Sequence, residues 1–293
     1  MDHHSIIAAV DGSERDAGVV AFARVLAATA GAPLVVATVH PKPHGAPADT
    51  SRALRAQAEA LLAGAAAAQD PTIALAGPSP AWALHDLAAR NDARALVVGT
   101  APHAARVGGT ATRLLHVAGC PVAVVPPGPR ARSIGTLAVA YRDDAEGAAV
   151  LDAACTLARL ADAGLRIVTV VQPVRHVLAG ILTPEGTEMV LEVQCDRAQT
   201  ALDAAVEHAA AHGVRAEPQL RVGTPADELA SAAQGCDVLI CGSPGYGPHG
   251  IVGLGGVTAH LLRDSLCPVL VLPRGLRHPF PHVAGDDGRA VTA

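Results

Sequence analysis

One stretch of the 293-residue chain concentrates glycine in a pattern that main-chain chemistry can use. In CGSPGYGPHGIVGLGGVTAHLLRDSLCPVLVLP, Gly242 is followed after two residues by Gly245, and after nine more by the pair Gly255-Gly256. An apolar run precedes this frame, and a helical pattern from about Val257 to Ser265 follows it. A strand, a glycine-rich loop and a helix start let main-chain N–H groups and the positive helix end approach phosphate oxygens, because no Cβ atoms stand in the way. In a chain with 29 glycines the spacing alone is a weak signal, and its place between strand and helix is what strengthens it. The competing reading is a flexible loop ahead of a helix. A shorter version stands earlier: Gly99, two residues, Pro102, five residues, Gly108-Gly109. It is four residues shorter, and Pro102 has no N–H to donate.

Other residues with chemical potential carry less. Asp11-Gly12-Ser13 follows the first apolar run and reads as a turn and helix N-cap, with Ser13 or Asp11 accepting backbone N–H bonds. The matching place in the second half holds Tyr141-Arg142, and arginine has no acceptor for a hydroxyl proton. His208 and His212 are four apart on a helical pattern, within reach of one metal ion, but no third ligand stands nearby and HExxH is absent. They read as a solvated face, and no metal is expected. Cys120 and Cys267 each precede a proline at the entry to an apolar run and read as small core residues. There is no GxSxG, no Walker lysine and no acid pair placed for general catalysis, so no enzyme is expected.

The elements that must position the glycines repeat. Residues 6–39 lie on 137–170 at an offset of 131, ARALVVGT at 93–100 resembles CDVLICGS, and CPVAVVP at 120–126 resembles CPVLVLP at 267–273. Strands are expected at 5–10, 34–39, 72–76, 95–99 and 121–125, and again at 136–141, 165–171, 216–221, 237–242 and 268–272, with helices between. Their continuous apolar runs suit strands covered on both faces. The fold class is therefore α/β: two repeated doubly wound domains, each a five-stranded parallel sheet flanked by helices. The expected bounds are 1–128 for domain 1, 129–134 for a Pro-rich linker, 135–273 for domain 2 and 274–293 for a flexible tail.

Composition excludes several classes. The chain is 50% hydrophobic and 17% charged, which excludes a disordered polyelectrolyte, and 2% aromatic, which leaves no stacking platform for single-stranded nucleic acid. Nine basic against nine acidic residues in 1–129, and 13 against 18 in 130–293, make no nucleic-acid surface. Six scattered cysteines without a CxxC pair suggest free thiols. The first residues lack a basic run, and the longest apolar stretch, 25–39, is broken by Gly31 and Pro33; a cytoplasmic protein without a membrane segment is expected.

The glycine frame, the V-T and CPVLVLP that follow it, and Asp11-Gly12-Ser13 after the first strand together resemble the universal stress protein family, over roughly 5–126 and 135–273. The resemblance implies an adenine-nucleotide alpha-hydrolase-like fold and an ATP site within one domain, with or without Mg2+, serving regulation in stress response. It implies Gly242, Ser243, Gly245, Gly255, Gly256 and Val257 as the loop of domain 2, and Asp11 as the nucleoside-side aspartate of domain 1. Gly256 replaces the usual Ser/Thr of that motif, Arg142 replaces the aspartate in domain 2, and the loop at Pro102 is degenerate, which leaves domain 2 the better nucleotide site. The resemblance also implies that the last strands of the two domains pair about a pseudo-two-fold axis. A regulatory protein partner and a homodimer are left open, and the alternative is a scaffold that binds no nucleotide and acts through protein contacts.

Overall fold

The expected apolar runs form strands, each within one residue of its expected ends, in a computed structural model that describes residues 4–42, 47–100, 109–128, 132–173, 184–243, 256–276 and 279–280. The first copy runs β1 (Ile6–Val10), α1 (Asp16–Ala30), β2 (Leu34–His40), α2 (Ala48–Ala65), β3 (Thr72–Ala76), α3 (Pro80–Arg90), β4 (Ala95–Gly99), α4 (Thr110–Val117) and β5 (Val122–Val125). The second runs β6 (Thr136–Ala140), α5 (Ala145–Ala161), β7 (Gly164–Val171), α6 (Pro184–Ala211), β8 (Ala216–Val222), α7 (Pro225–Ala232), β9 (Val238–Gly242), α8 (Gly256–Asp264) and β10 (Val269–Leu272). Gly245, Gly255, Pro102 and Gly108 lie outside the described residues, as do 129–131 of the expected linker and 281–293 of the expected tail.

The strands join one ten-stranded sheet in the order β3-β2-β1-β4-β5-β10-β9-β6-β7-β8. Every pairing is parallel except β5 with β10. There Leu270 faces Ala123, with Val269 on Val124 and Val271 on Val122. These are equivalent residues of the two copies, so the pairing is self-complementary and its axis passes between Ala123 and Leu270. The two last strands thus meet as the resemblance implies. Because they run antiparallel, the carboxyl ends of the two half-sheets face opposite ways.

Burial on both faces explains why the strands are continuous apolar runs. Ile6, Ala8, Leu137, Val139 and Leu270 pack under α1, α5 and α6 on one face, with Phe22, Leu26, Leu157 and Leu202. Ile7, Leu96, Ala138, Leu239 and Val269 pack under α3, α4, α7 and α8 on the other, with Leu84, Leu114, Leu229 and Leu261. The Cα path closes α1 and α5 alike: Gly31 at φ 58° and Asp162 at φ 51° take the left-handed position, and they are 131 residues apart. The expected flexible tail holds one surprise, since Phe280 is 2% exposed and belongs to the α1/α5 core. Lack of periodicity excludes a regular element, yet a single large apolar side chain can still anchor a segment.

A pH-dependent tie joins α1 to the turn before β3. Arg24 grips the nearly buried Asp70 carboxylate through Nη1 and Nη2 at 3.1 and 2.6 Å, and the Ala67 N–H donates to it at 2.8 Å. The Arg24 guanidinium holds the Asp70 carboxyl below its usual value. A depressed carboxyl stabilises the fold above its unfolded value and loses that contribution as the pH falls through its folded one. Asp70→Asn therefore lowers stability by about 1–2 kcal/mol at pH 7, the half-exposed Arg24 limiting the effect. In urea titrations at stepped pH, the gap between wild type and variant closes as the pH drops from about 4 towards 2.

Candidate functional site

In each half-sheet the first strand lies between the second and the fourth, so the chain order reverses there, and a crevice opens at the carboxyl ends. In domain 2 the reversal falls between β6 and β9, and a cavity of about 430 Å³ occupies it. Tyr141 and Arg142 after β6 form one wall, Val168 to Val170 of β7 a second, and Gly242 with the first turn of α8, Gly256 to Thr258, the rest. At Gly242 α5 comes close: a Cβ there would sit 3.1 Å from Val150 Cγ2 and 3.8 Å from Glu146 Cγ.

The polar groups of this cavity divide by partner. Arg142, the residue in the aspartate's place, pairs through Nε with Asp144, whose Oδ1 accepts from the Gly147 N–H at 2.7 Å and so caps α5. Burial alone would raise the Asp144 carboxyl, but that N–H and Arg142 outweigh it and hold it low. Arg142 is thereby tied to its own helix start. Burial, joined by Asp143 and Asp144, pushes the Tyr141 hydroxyl up. The Cys241 thiol is pushed up to about 12 by burial and stays protonated despite its bond with Thr258. Glu146 differs from all of these: its Oε1 is buried and finds no partner among the described residues.

The expected loop residues that the structure describes here, Ser243, Gly256 and Val257, differ in what they offer the cavity. The Ser243 N–H already donates to Leu272 O at 2.9 Å, and the hydroxyl of this buried residue finds no partner among the described residues. Gly256 and Val257 begin α8 and line the cavity. Gly245 and Gly255 fall outside the described residues.

Domain 1 presents the same crevice nearly filled. Arg15 turns into it, donating through Nη1 to Thr100 O at 2.7 Å, through Nε to Ser13 Oγ at 3.1 Å, and reaching Asp11 Oδ2 at 3.4 Å. A cavity of only about 110 Å³ remains. Asp11 is exposed and accepts from the Ser13 N–H at 3.0 Å, as a turn residue would. The expected N-cap is corrected: α1 is capped by neither Asp11 nor Ser13. The buried Asp16 reaches back instead, accepting from the Asp11 and Gly12 N–H groups at 3.1 and 2.8 Å. Burial raises its carboxyl against those two bonds.

At an offset of 131, Arg15 and Glu146 are the same position, so one residue closes the first crevice and its counterpart leaves the second open with a bare acceptor. Sequence reasoning passed over both; the charge reversal within the repeat was the signal. Elsewhere the six cysteines are free, with Cys120 and Cys267 buried as expected. His208 and His212 acquire a neighbour that spacing did not reveal, Asp152. No described helix is long and apolar enough to cross a membrane.

The comparisons agree with the architecture. The family model described as "Universal stress protein family" matches residues 3–126 and 134–273. No curated protein matches. A universal stress protein from Archaeoglobus fulgidus DSM 4304 is similar at 18% identity, over 94% of this chain and 97% of that one, with a TM-score of 0.65. A functionally unknown protein from Pseudomonas aeruginosa PAO1 is similar at 17% identity over 92% of each chain, also with a TM-score of 0.65. At these identities the likeness speaks for the fold.

Proposed function

This chain belongs to the universal stress protein family, and from that premise we propose that it is a regulatory module of stress adaptation that binds an adenine nucleotide in domain 2. The observation that carries the reading is the contrast between the open crevice of about 430 Å³ beside Gly242 and its counterpart of about 110 Å³ blocked by Arg15. The apolar edge from Val168 to Val170 suits a base, and a ribose hydroxyl supplies the donor that Glu146 Oε1 lacks. The phosphates of ATP, with or without Mg2+, run towards the loop that leaves Gly242 and returns at Gly256. Domain 1 serves as the structural partner that covers the edge of β10.

Binding rather than turnover fits the chemistry of the crevice. Cys241 is protonated, Asp144 is engaged by Gly147 and Arg142, and among the described residues no activated base faces the cavity. Hydrolysis of bound ATP is slow and incidental in this reading. The protein works in the cytoplasm, where reducing conditions keep its cysteines as thiols.

One observation favours the second reading, a scaffold without nucleotide: among the described residues two carboxylates, Asp144 and Glu146, border the cavity against one guanidinium, that of Arg142. Isothermal titration of the full chain with ATP separates the two. The expected result is one equivalent of ATP bound with sub-millimolar affinity, lost in Gly245→Asp, which adds a negative charge to the loop. Absence of heat at millimolar ATP, with Gly245→Asp indistinguishable from wild type, rejects the nucleotide reading in favour of the scaffold.

A further inference from the structure

A cluster away from the crevice gathers three groups with the chemistry of metal ligands. Asp152 lies on α5, His208 in the last turn of α6 and His212 just beyond it. One ligand atom from each lies within 4.8 Å of the others. His208 Nε2 is 2.6 Å from Asp152 Oδ1, and the two imidazole rings stand 4.4 Å apart, tilted by 41°.

We propose that Asp152, His208 and His212 form a three-ligand site for a late first-row divalent cation of the zinc class, with a fourth position open to water. The donor set, two imidazoles and one carboxylate, is that of borderline cations rather than of calcium or magnesium.

The tautomer of His212 is already set for ligation. Its Nδ1 lies 2.8 Å from His208 O, and a carbonyl can only accept, so Nδ1 carries a proton and in the neutral ring the lone pair is on Nε2. A ring N–H bonded to a backbone carbonyl is the arrangement that fixes metal-binding histidines. His208 Nε2 and Asp152 Oδ1 converge on one point, which a cation occupies in place of the hydrogen they share. Ligand atoms at about 2.0–2.1 Å from a tetrahedral ion are about 3.3 Å apart, so the pair opens slightly and His212 swings in. The side chains of Asp152 and His208 are 42% and 41% exposed, which gives the ion a path and leaves their own ion pair too weak to compete. Bound there, the ion ties the end of α6 to α5.

The test uses the full, untagged chain, stripped of metal and titrated with Zn2+ in competition with a chromogenic chelator. One tight equivalent is expected, and Asp152→Asn, His208→Ala and His212→Ala each weaken it by more than about tenfold. His260→Ala, which removes a histidine paired with Asp227 and Asp264, leaves it unchanged. A second readout is taken on wild-type protein: in histidine 15N spectra, Zn2+ shifts two of the 14 imidazoles, whose assignment to His208 and His212 comes from conservative glutamine variants. Failure to bind one equivalent, affinity preserved in His208→Ala/His212→Ala, or shifts confined to other histidines would overturn the site.

Discussion

Replacing Glu146 with alanine weakens adenosine and ATP binding alike, by roughly ten- to hundredfold, and replacement with glutamine gives an intermediate loss. The magnitude follows from a hydrogen bond to a charged acceptor, about 1.5–3 kcal/mol, at about 1.4 kcal/mol per decade of affinity. The carboxylate is buried at Oε1 without a partner among the described residues, on the first turn of α5 beside Gly242, in the crevice where Arg142 stands in place of the family's aspartate. A buried acceptor left bare destabilises the empty protein, so a ligand that brings a hydroxyl gains twice, by its own bond and by relieving that cost. The sign of the effect reports what the carboxylate faces. Toward ribose, its loss hurts adenosine and ATP equally. Toward phosphate, its loss removes a repulsion, tightens ATP and leaves adenosine unchanged. Calorimetry with adenosine, AMP and ATP on wild type, Glu146→Gln and Glu146→Ala reads that sign directly, and tighter ATP binding by the variants would overturn the role assigned to Glu146.

The repeat made the scaffold legible. A strand covered by helices on both faces has no polar side to interrupt its run, so IIAAV, VLICG and VLVL announce themselves without a structure. The meeting of β5 with β10 was an expectation of the family resemblance rather than of the spacing; the repeat of CPVAVVP as CPVLVLP shows only that the two edges are equivalent, as a pairing about an axis requires. What lay hidden was the direction of long side chains. Arg15 and Glu146 occupy one position of the repeat, yet nothing in their spacing says that Arg15 folds inward onto Thr100 O or that Glu146 ends with a bare oxygen. Distance along the chain hides contacts in the same way: Asp152 stands 56 residues from His208, and only the packing of α5 on α6 brings them together. Phe280 was masked by its non-periodic surroundings, since burial of one ring needs no repeat.

Gly147→Ala lowers the stability of the chain by about 3 kcal/mol or more, the largest loss expected from adding one methyl group. Gly147 is the third residue of α5, and a Cβ there would lie 1.8 Å from Arg142 O and 2.8 Å from Arg142 C. These are main-chain atoms, so no rotamer relieves the overlap. The turn must open, and opening it breaks two bonds at once: the Asp144 N–H to Arg142 O at 2.8 Å, and the Gly147 N–H to Asp144 Oδ1 at 2.7 Å that caps the helix. Gly223→Ala is the control. Its Cβ would meet Glu228 Oε1 at 2.7 Å and Cγ at 2.9 Å, but these are atoms of one flexible side chain that turns aside as a whole about χ1, with no main-chain atom in the way, so the cost stays below about 1–2 kcal/mol. Urea titration of both variants at pH 7 measures the difference, and a Gly147→Ala midpoint equal to that of Gly223→Ala would refute it. The two copies build this turn by opposite means. At the position of Gly147 the first copy has Asp16, whose side chain accepts from the N–H groups of Asp11 and Gly12. The second copy removes the side chain altogether and lets the carbonyl of Arg142 press against α5. That tighter turn carries Tyr141, Arg142 and Glu146 to the edge of the open crevice, so Gly147→Ala displaces the wall of the crevice along with the helix start.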